Sequence, residues 1–188
     1  RAVCHHPQLC RDGVRRRSRA EAAAGEFRSG WARAPEALRV TLVVSSCGRL
    51  AGLRRTITSL LAANTFPIDR HVIVEDSGSP DMVSALVEEF GDVFDIVYNR
   101  RRMGQLFALD KAYSTVTTPY ILHCEDDWVF TGAPFLEASL SILRHEARVF
   151  TVHISNTSFL YPVADEPATT PDGVDYYPIL NPPIAARD

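Results

Sequence analysis

The sequence has little excess charge of either sign. Its 23 acidic and 20 basic residues leave a formal net charge of −3, so nothing pulls the chain as a whole toward nucleic acid or an anionic membrane. It lacks any apolar run approaching the roughly 18 residues that a membrane span needs. Cysteine is sparse. Of Cys4, Cys10, Cys47 and Cys124, the last two fall in or beside apolar, strand-like stretches, where a free thiol packs as a small hydrophobe. That placement excludes a disulfide framework. Cys4, His5, His6 and Cys10 are candidate zinc ligands, but their spacing matches no common finger. There is no internal repeat. The first residue is Arg1 rather than Met, as in a fragment or a processed chain.

The 188 residues, 46% hydrophobic and 23% charged, fit one globular domain with a sizeable core. Residues 1–37 stand apart. They are rich in Arg and Ala, with Arg15, Arg16, Arg17 and Arg19 close together, and sustain no apolar periodicity. Three readings fit: a solvated flexible segment, the remnant of an organelle-targeting sequence, or a basic arm for nucleic acid. Only Phe27 and Trp31 supply aromatics for the last. The domain proper is expected over 38–188, turning irregular from about 156. Half of the 12 prolines lie beyond that point and preclude long regular elements.

From Val40 a βα alternation begins. The β-branched run 40–46 predicts a buried strand, and 50–63 predicts a helix with Leu50, Leu53, Ile57, Leu60 and Leu61 on one face. Strands are expected at 71–76, 94–99, 120–125 and 148–155. Helices are expected at 79–90, capped by Ser79 with Pro80 in the first turn, at 104–116 with Leu106, Leu109 and Tyr113 in register, and at 134–145. This order implies a Rossmann-like α/β fold, a mostly parallel sheet with helices on both faces. Ligands of such sheets bind beyond the carboxyl ends of the strands. At those ends stand Ser45 and Arg49, then Glu75 and Asp76, then Asn99 with Arg100, Arg101 and Arg102, then Glu125, Asp126 and Asp127.

Three adjacent carboxylates at the end of an apolar strand repel one another unless a cation sits among them. Mg²⁺ and Mn²⁺ prefer such oxygens, and need only one or two when a substrate phosphate supplies the rest. Glu125 and Asp127 fall on one side of the strand, and Asp126 on the other. Several neighbours admit two readings. Glu75 and Asp76 could bind a ribose hydroxyl or base edge, or serve ordinary turn chemistry. The arginines at 100–102 could neutralise phosphate or form a solvated run. Gly104 opens a helix whose amides suit an anion. Trp128 could floor a sugar pocket or fill the core, whereas His123 and His153 read as core histidines rather than ligands.

The stretches VTLVVSSCGRLAGLRRTITSLLA, HVIVEDSGSPD, YNRRRMGQLFALDKAYS and YILHCEDDWVF together resemble the GT-A nucleotide-sugar glycosyltransferases, above all the large inverting group called family 2. The likeness spans about residues 40–155. It implies a GT-A sheet and a UDP- or GDP-sugar donor. Ser45, Arg49, Glu75, Asp76, Gly104 and Gln105 would lie along the donor. Asp127 would be the main ligand of Mn²⁺ or Mg²⁺, with Glu125 assisting and Asp126 near the ribose and sugar. Glu125 stands where the family's Asp-x-Asp motif has its first Asp, which lengthens the reach. The family's general base is a later acid. Only about 60 residues follow Asp127, as in a chain truncated at its C-terminal side, and Asp165 and Glu166 are the candidates it offers. The acceptor, whether glycan, lipid or protein, is not specified. The compartment is not specified either: a soluble cytoplasmic chain is the default, with an organelle or Golgi lumen open. Asn156, Thr157 and Ser158 fit a glycosylation pattern that matters only in a secreted chain. Two alternatives remain. One is a nucleotide-sugar-binding domain without catalysis. The other is a nucleotidyltransferase, which would usually place a Lys in the loop after the first strand, where SSCGRLAG has none.

Overall fold

Val40–Ser46 (β2) buries on both faces, as its uninterrupted apolar and β-branched run requires. Val40, Thr41, Leu42, Val43 and Val44 are fully buried. The strand follows a short backbone strand at Ala2–Cys4 (β1) in the chain, and it is central because it pairs on both sides. Arg70–Glu75 (β3) and Tyr120–Glu125 (β5) flank it, and Asp95–Tyr98 (β4) lies beyond β3. All three pairings are parallel, in the order β4-β3-β2-β5. The structure, a computed structural model, describes residues 2–4 (backbone only), 35–132, 134–154 and 162–180. The expectations for the Arg-rich run at 15–19, for a zinc site around Cys4–Cys10 and for the glycosylation pattern at 156–158 fall outside the described side chains.

The chain divides into two compact units, and the sheet belongs to Trp31–Ala133. Its three helices are Leu50–Ala63 (α1), Pro80–Phe90 (α2) and Gln105–Tyr113 (α3). The Ser79 hydroxyl caps α2 by accepting from the Met82 N–H at 3.3 Å, as its position before Pro80 predicts. Leu53, Ile57 and Leu60 of α1 are buried, each stabilising by about 1.5–3 kcal/mol. Leu61, expected on that face, is 46% exposed, because one further residue rotates the side chain about 100° around the helix. The expectation for α3 is corrected further. Ala108 and Ala112, not Leu106, meet Val43, Val72 and Val74 of the sheet, with Leu109 and Tyr113 packed alongside. Leu106 is 79% exposed. Two alanines let α3 approach the strands closely. On the alternate side of the sheet, Leu42, Val44 and Ile73 are fully buried as well.

The second unit holds Phe135–His145 (α4), Val152–Ile154 (β6), Ala168–Thr169 (β7) and Asp175–Pro178 (β8). Ile142 and Tyr176 centre its core. The strand expected at 148–155 is shorter than expected and does not extend the parallel sheet. It joins a separate sheet in the order β6-β1-β8-β7. Val149 and Val152 pack on Ile142 and Tyr176. Among the described residues no helix is long and apolar enough to cross a membrane.

Candidate active site

Strand register gathers the site. Ser45 stands opposite Glu125, Ser46 opposite Glu75, and Glu75 opposite Tyr98, so the carboxyl ends of four strands share one edge. Every acid there ties two loops together. The fully buried Glu75 carboxylate accepts from the Gly48 N–H at 3.0 and 3.3 Å and from the Ser77 N–H at 2.7 Å. It thereby fixes the turn after β2, in which Gly48 takes φ 75°, a value that favours glycine.

Asp76 does the same toward β4 and α3. Its carboxylate accepts from Asn99 Nδ2 at 2.8 Å, the Met103 N–H at 2.9 Å and the Gly104 N–H at 2.8 Å. Burial pushes this carboxyl up. The hydrogen bonds from Met103, Asn99 and Gly104, with the charge of Arg102, outweigh burial and hold it below the ordinary carboxylate value. Asn99 in turn accepts from Lys111 Nζ at 3.0 Å, and the same ammonium caps the Tyr98 carbonyl at 2.6 Å. Gly78 passes so close that a Cβ would lie 2.9 Å from Arg101 Cα.

The acid triplet divides by alternation. Asp126 is 1% exposed and turns inward. Asp127 faces solvent, and Glu125 is half-buried. Asp126 Oδ2 accepts from the Cys47 N–H and from Arg49 Nε, each at 3.3 Å, and Arg49 Nη2 lies against Oδ1. Arg49 Nη1 reaches Asp127 Oδ2 at 3.2 Å. Asp126 above all, then Asp127, raises the arginine pKa further. Glu125 Oε1 accepts from Gln105 Nε2 at 2.9 Å. Next to the triplet, the Cys124 thiol is buried, and burial first, then Glu125 and Asp126, push its pKa up to about 12, so it is no nucleophile.

Helix α1 carries residues whose role sequence reasoning missed. A Cβ at Gly52 would lie 2.5 Å from the Asp126 carbonyl oxygen. Thr56 Oγ1 donates to the Trp128 carbonyl at 2.8 Å, and Ser59 Oγ accepts from the Phe130 N–H at 3.1 Å. Gly52, Thr56 and Ser59 therefore form a stripe at helical spacing that follows the backbone leaving β5. The available signal was that spacing of small and hydroxyl residues beside the Leu53–Ile57–Leu60 face. Trp128 is partly exposed at 36%, so it is not core. His123 packs edge-on against Tyr113, with ring centroids 6.1 Å apart, as a partly buried core histidine. Arg100, Arg101 and Arg102 are exposed. Asp165 and Glu166 are exposed residues of the other unit.

The triplet offers oxygen ligands only, which suits a hard divalent cation. Among the described residues, however, no group of three His, Cys, Asp or Glu side chains converges to hold one. The buried Asp126 Oδ1 is met by Arg49 Nη2, so Arg49 takes the place of a cation beside it. This donor set fits an ion whose other ligands are phosphate and water. It does not fit an ion caged by the protein alone.

No curated protein matches the sequence significantly. Among solved structures, the mannosyltransferase PcManGT from Pyrobaculum calidifontis, in complex with GDP-Man and Mn²⁺, is similar at 20% identity and a TM-score of 0.41. The match covers 63% of this chain and 36% of that one, so this chain spans little more than a third of that protein's length. The family model of glycosyl transferase family 2 matches residues 41–160, which takes in every acid at the edge of the parallel sheet and all of the sheet but Val40. The chain belongs to glycosyl transferase family 2.

Proposed function

We propose that this chain carries the donor half of a glycosyltransferase. In this reading it binds a UDP- or GDP-sugar at the edge of the parallel sheet and transfers the sugar, with inversion, to a hydroxyl of a glycan, lipid or protein acceptor. The observation that carries the reading is the convergence of Arg49, Asp126 and Asp127 at the adjoining tips of β2 and β5, beside the Glu75 and Asp76 turns. Family membership supplies the reaction class.

Each residue then has a task. Ser45, the Gly48 turn held by Glu75, and Asp76 frame the nucleoside. Asp76 shapes the 103–104 turn, so Gly104 and Gln105 present the start of α3 to the phosphates. Arg49 offers a bidentate fork to the diphosphate, and Asp126 holds it at the sheet edge before the donor arrives. Asp127 is the main ligand for Mn²⁺ or Mg²⁺, with Glu125 assisting. When bound, the ion stabilises the charge of the departing diphosphate. Asp165 and Glu166 stay candidates for the base that deprotonates the acceptor.

A domain that binds donor without turnover is the second reading, favoured because the base candidates Asp165 and Glu166 belong to the other compact unit and not to the sheet edge. Incubation with UDP- and GDP-sugars and Mn²⁺, with release of nucleoside diphosphate followed over time, separates the two. Release above the no-protein blank, with the sugar passing to water or to an added acceptor hydroxyl, supports transfer. Saturable binding without release leaves the binding domain, and neither outcome with any donor refutes both.

A further inference from the structure

We propose that Arg49 is a built-in counter-ion that closes the acidic triplet to metal until a nucleoside diphosphate draws it away. The proposal rests on the donor-site reading above and adds an order of events to it. The starting point is an unusual distribution of burial and charge. Asp126 is 1% exposed, while the Arg49 side chain paired with it is 55% exposed. One guanidinium serves two carboxylates, with Nε and Nη2 on Asp126 and Nη1 on Asp127 at 3.2 Å. Among the described residues the buried Asp126 Oδ1 has no other partner than Nη2 of that arginine.

A buried carboxylate that holds an exposed, long and flexible partner suits an exchangeable cation. Among the described residues the Arg49 side chain is held by Asp126 and Asp127 alone, and its backbone precedes α1 after the Gly48 turn. Its side chain can leave without moving any strand. With Arg49 in place, an arriving dication meets two carboxylates and one guanidinium, and the guanidinium repels it at contact distance from Asp127. A diphosphate competes with Asp127 for the same guanidinium and offers it the geometry that Arg prefers. Once Arg49 turns to the phosphate, Asp127 is free to ligate the ion, and the phosphate supplies the ligands the protein lacks. No bond forms or breaks covalently, and the exchange is one of ion pairs. Metal and nucleotide are thereby coupled through one side chain, and the coupling is reciprocal.

The test measures Mn²⁺ binding itself, by the electron paramagnetic resonance signal of free Mn²⁺, with and without saturating GDP or UDP. Wild type and Arg49→Gln are compared. In wild type, nucleotide should tighten Mn²⁺ binding by about tenfold or more, an ordinary size for coupling between sites. Arg49→Gln should bind Mn²⁺ alone about tenfold tighter than wild type does, and lose most of the nucleotide dependence. Its melting temperature should also rise more on Mn²⁺ addition than that of wild type, since the ion replaces the missing positive charge beside Asp126. Should Arg49→Gln fail to fold, Arg49→Lys takes its place. Lysine keeps one charge but cannot grip both acids, so Mn²⁺ alone should bind it with intermediate affinity. If Mn²⁺ alone binds these variants no better than wild type while nucleotide still tightens wild-type binding, the counter-ion role is overturned and the donor site stands. If wild type binds neither Mn²⁺ nor nucleotide in any combination, the donor-site reading falls and takes this proposal with it.

Discussion

Asp76→Asn removes one negative charge from the turn that joins β3, β4 and α3. The carboxylate accepts three N–H groups at 2.8–2.9 Å, from Asn99, Met103 and Gly104. An amide has one oxygen. Oriented toward Asn99 and Met103, which share Oδ1, it turns its own NH₂ against the Gly104 N–H. One charge-assisted hydrogen bond, worth about 1.5–3 kcal/mol, is lost, and the two survivors weaken toward the roughly 1 kcal/mol of neutral pairs. The neutral side chain recovers part of the desolvation penalty. The net loss should be about 2–3 kcal/mol, a large share of a typical total. Urea unfolding at neutral pH should show the midpoint falling by about 1 M or more.

The sign with pH follows from the depressed carboxyl. Stabilisation from a lowered folded-state pKa is complete above the unfolded value, about 3.9, and is lost as pH falls through the folded value. The gap between wild type and Asp76→Asn should be widest near neutrality and close below about pH 4. A midpoint that does not move at neutral pH, or a gap that stays constant into acid, would refute the account of this turn.

Gly52→Ala puts a Cβ 2.5 Å from the Asp126 carbonyl oxygen, so α1 or the acidic turn must shift. Overpacking of this kind costs about 1–3 kcal/mol, and thermal melts should register it together with weaker nucleotide binding. Leu106→Ser and Phe107→Ser replace residues 79% and 67% exposed, so the melting temperature should move by the equivalent of no more than about 0.5 kcal/mol. Cys124 should resist a thiol reagent at pH 8 in the folded protein and react once urea unfolds it, because its thiol is buried with a pKa of about 12. Mass mapping after quench reads the site directly.

The four strands of the parallel sheet were legible because each is a short apolar or β-branched run that ends in polar residues. The helix faces were less so. Periodicity in α3 gave weight to Leu106, whereas sheet contact goes to Ala108 and Ala112. Small residues win where an element must lie close, and hydrophobicity alone does not reveal that. The partner of β6 is β1, nearly the whole chain away, and such a non-local pairing leaves no mark in the strand's own residues.

The location of the acids could be read from the order of strands and helices. Their partners could not. That Arg49 meets Asp126 and Asp127 depends on the register that sets Ser45 opposite Glu125, and register across 80 residues leaves no local mark. Nor does the sequence announce that Glu75 and Asp76 spend their oxygens on backbone amides of neighbouring loops.

The most direct test is a calorimetric titration of GDP and UDP into wild type and Asp127→Asn, with and without Mn²⁺. The donor-site account predicts Mn²⁺-enhanced binding of at least one nucleotide by wild type, and loss of the enhancement in the variant with its fold intact. Equal Mn²⁺-enhanced binding by both proteins would contradict it.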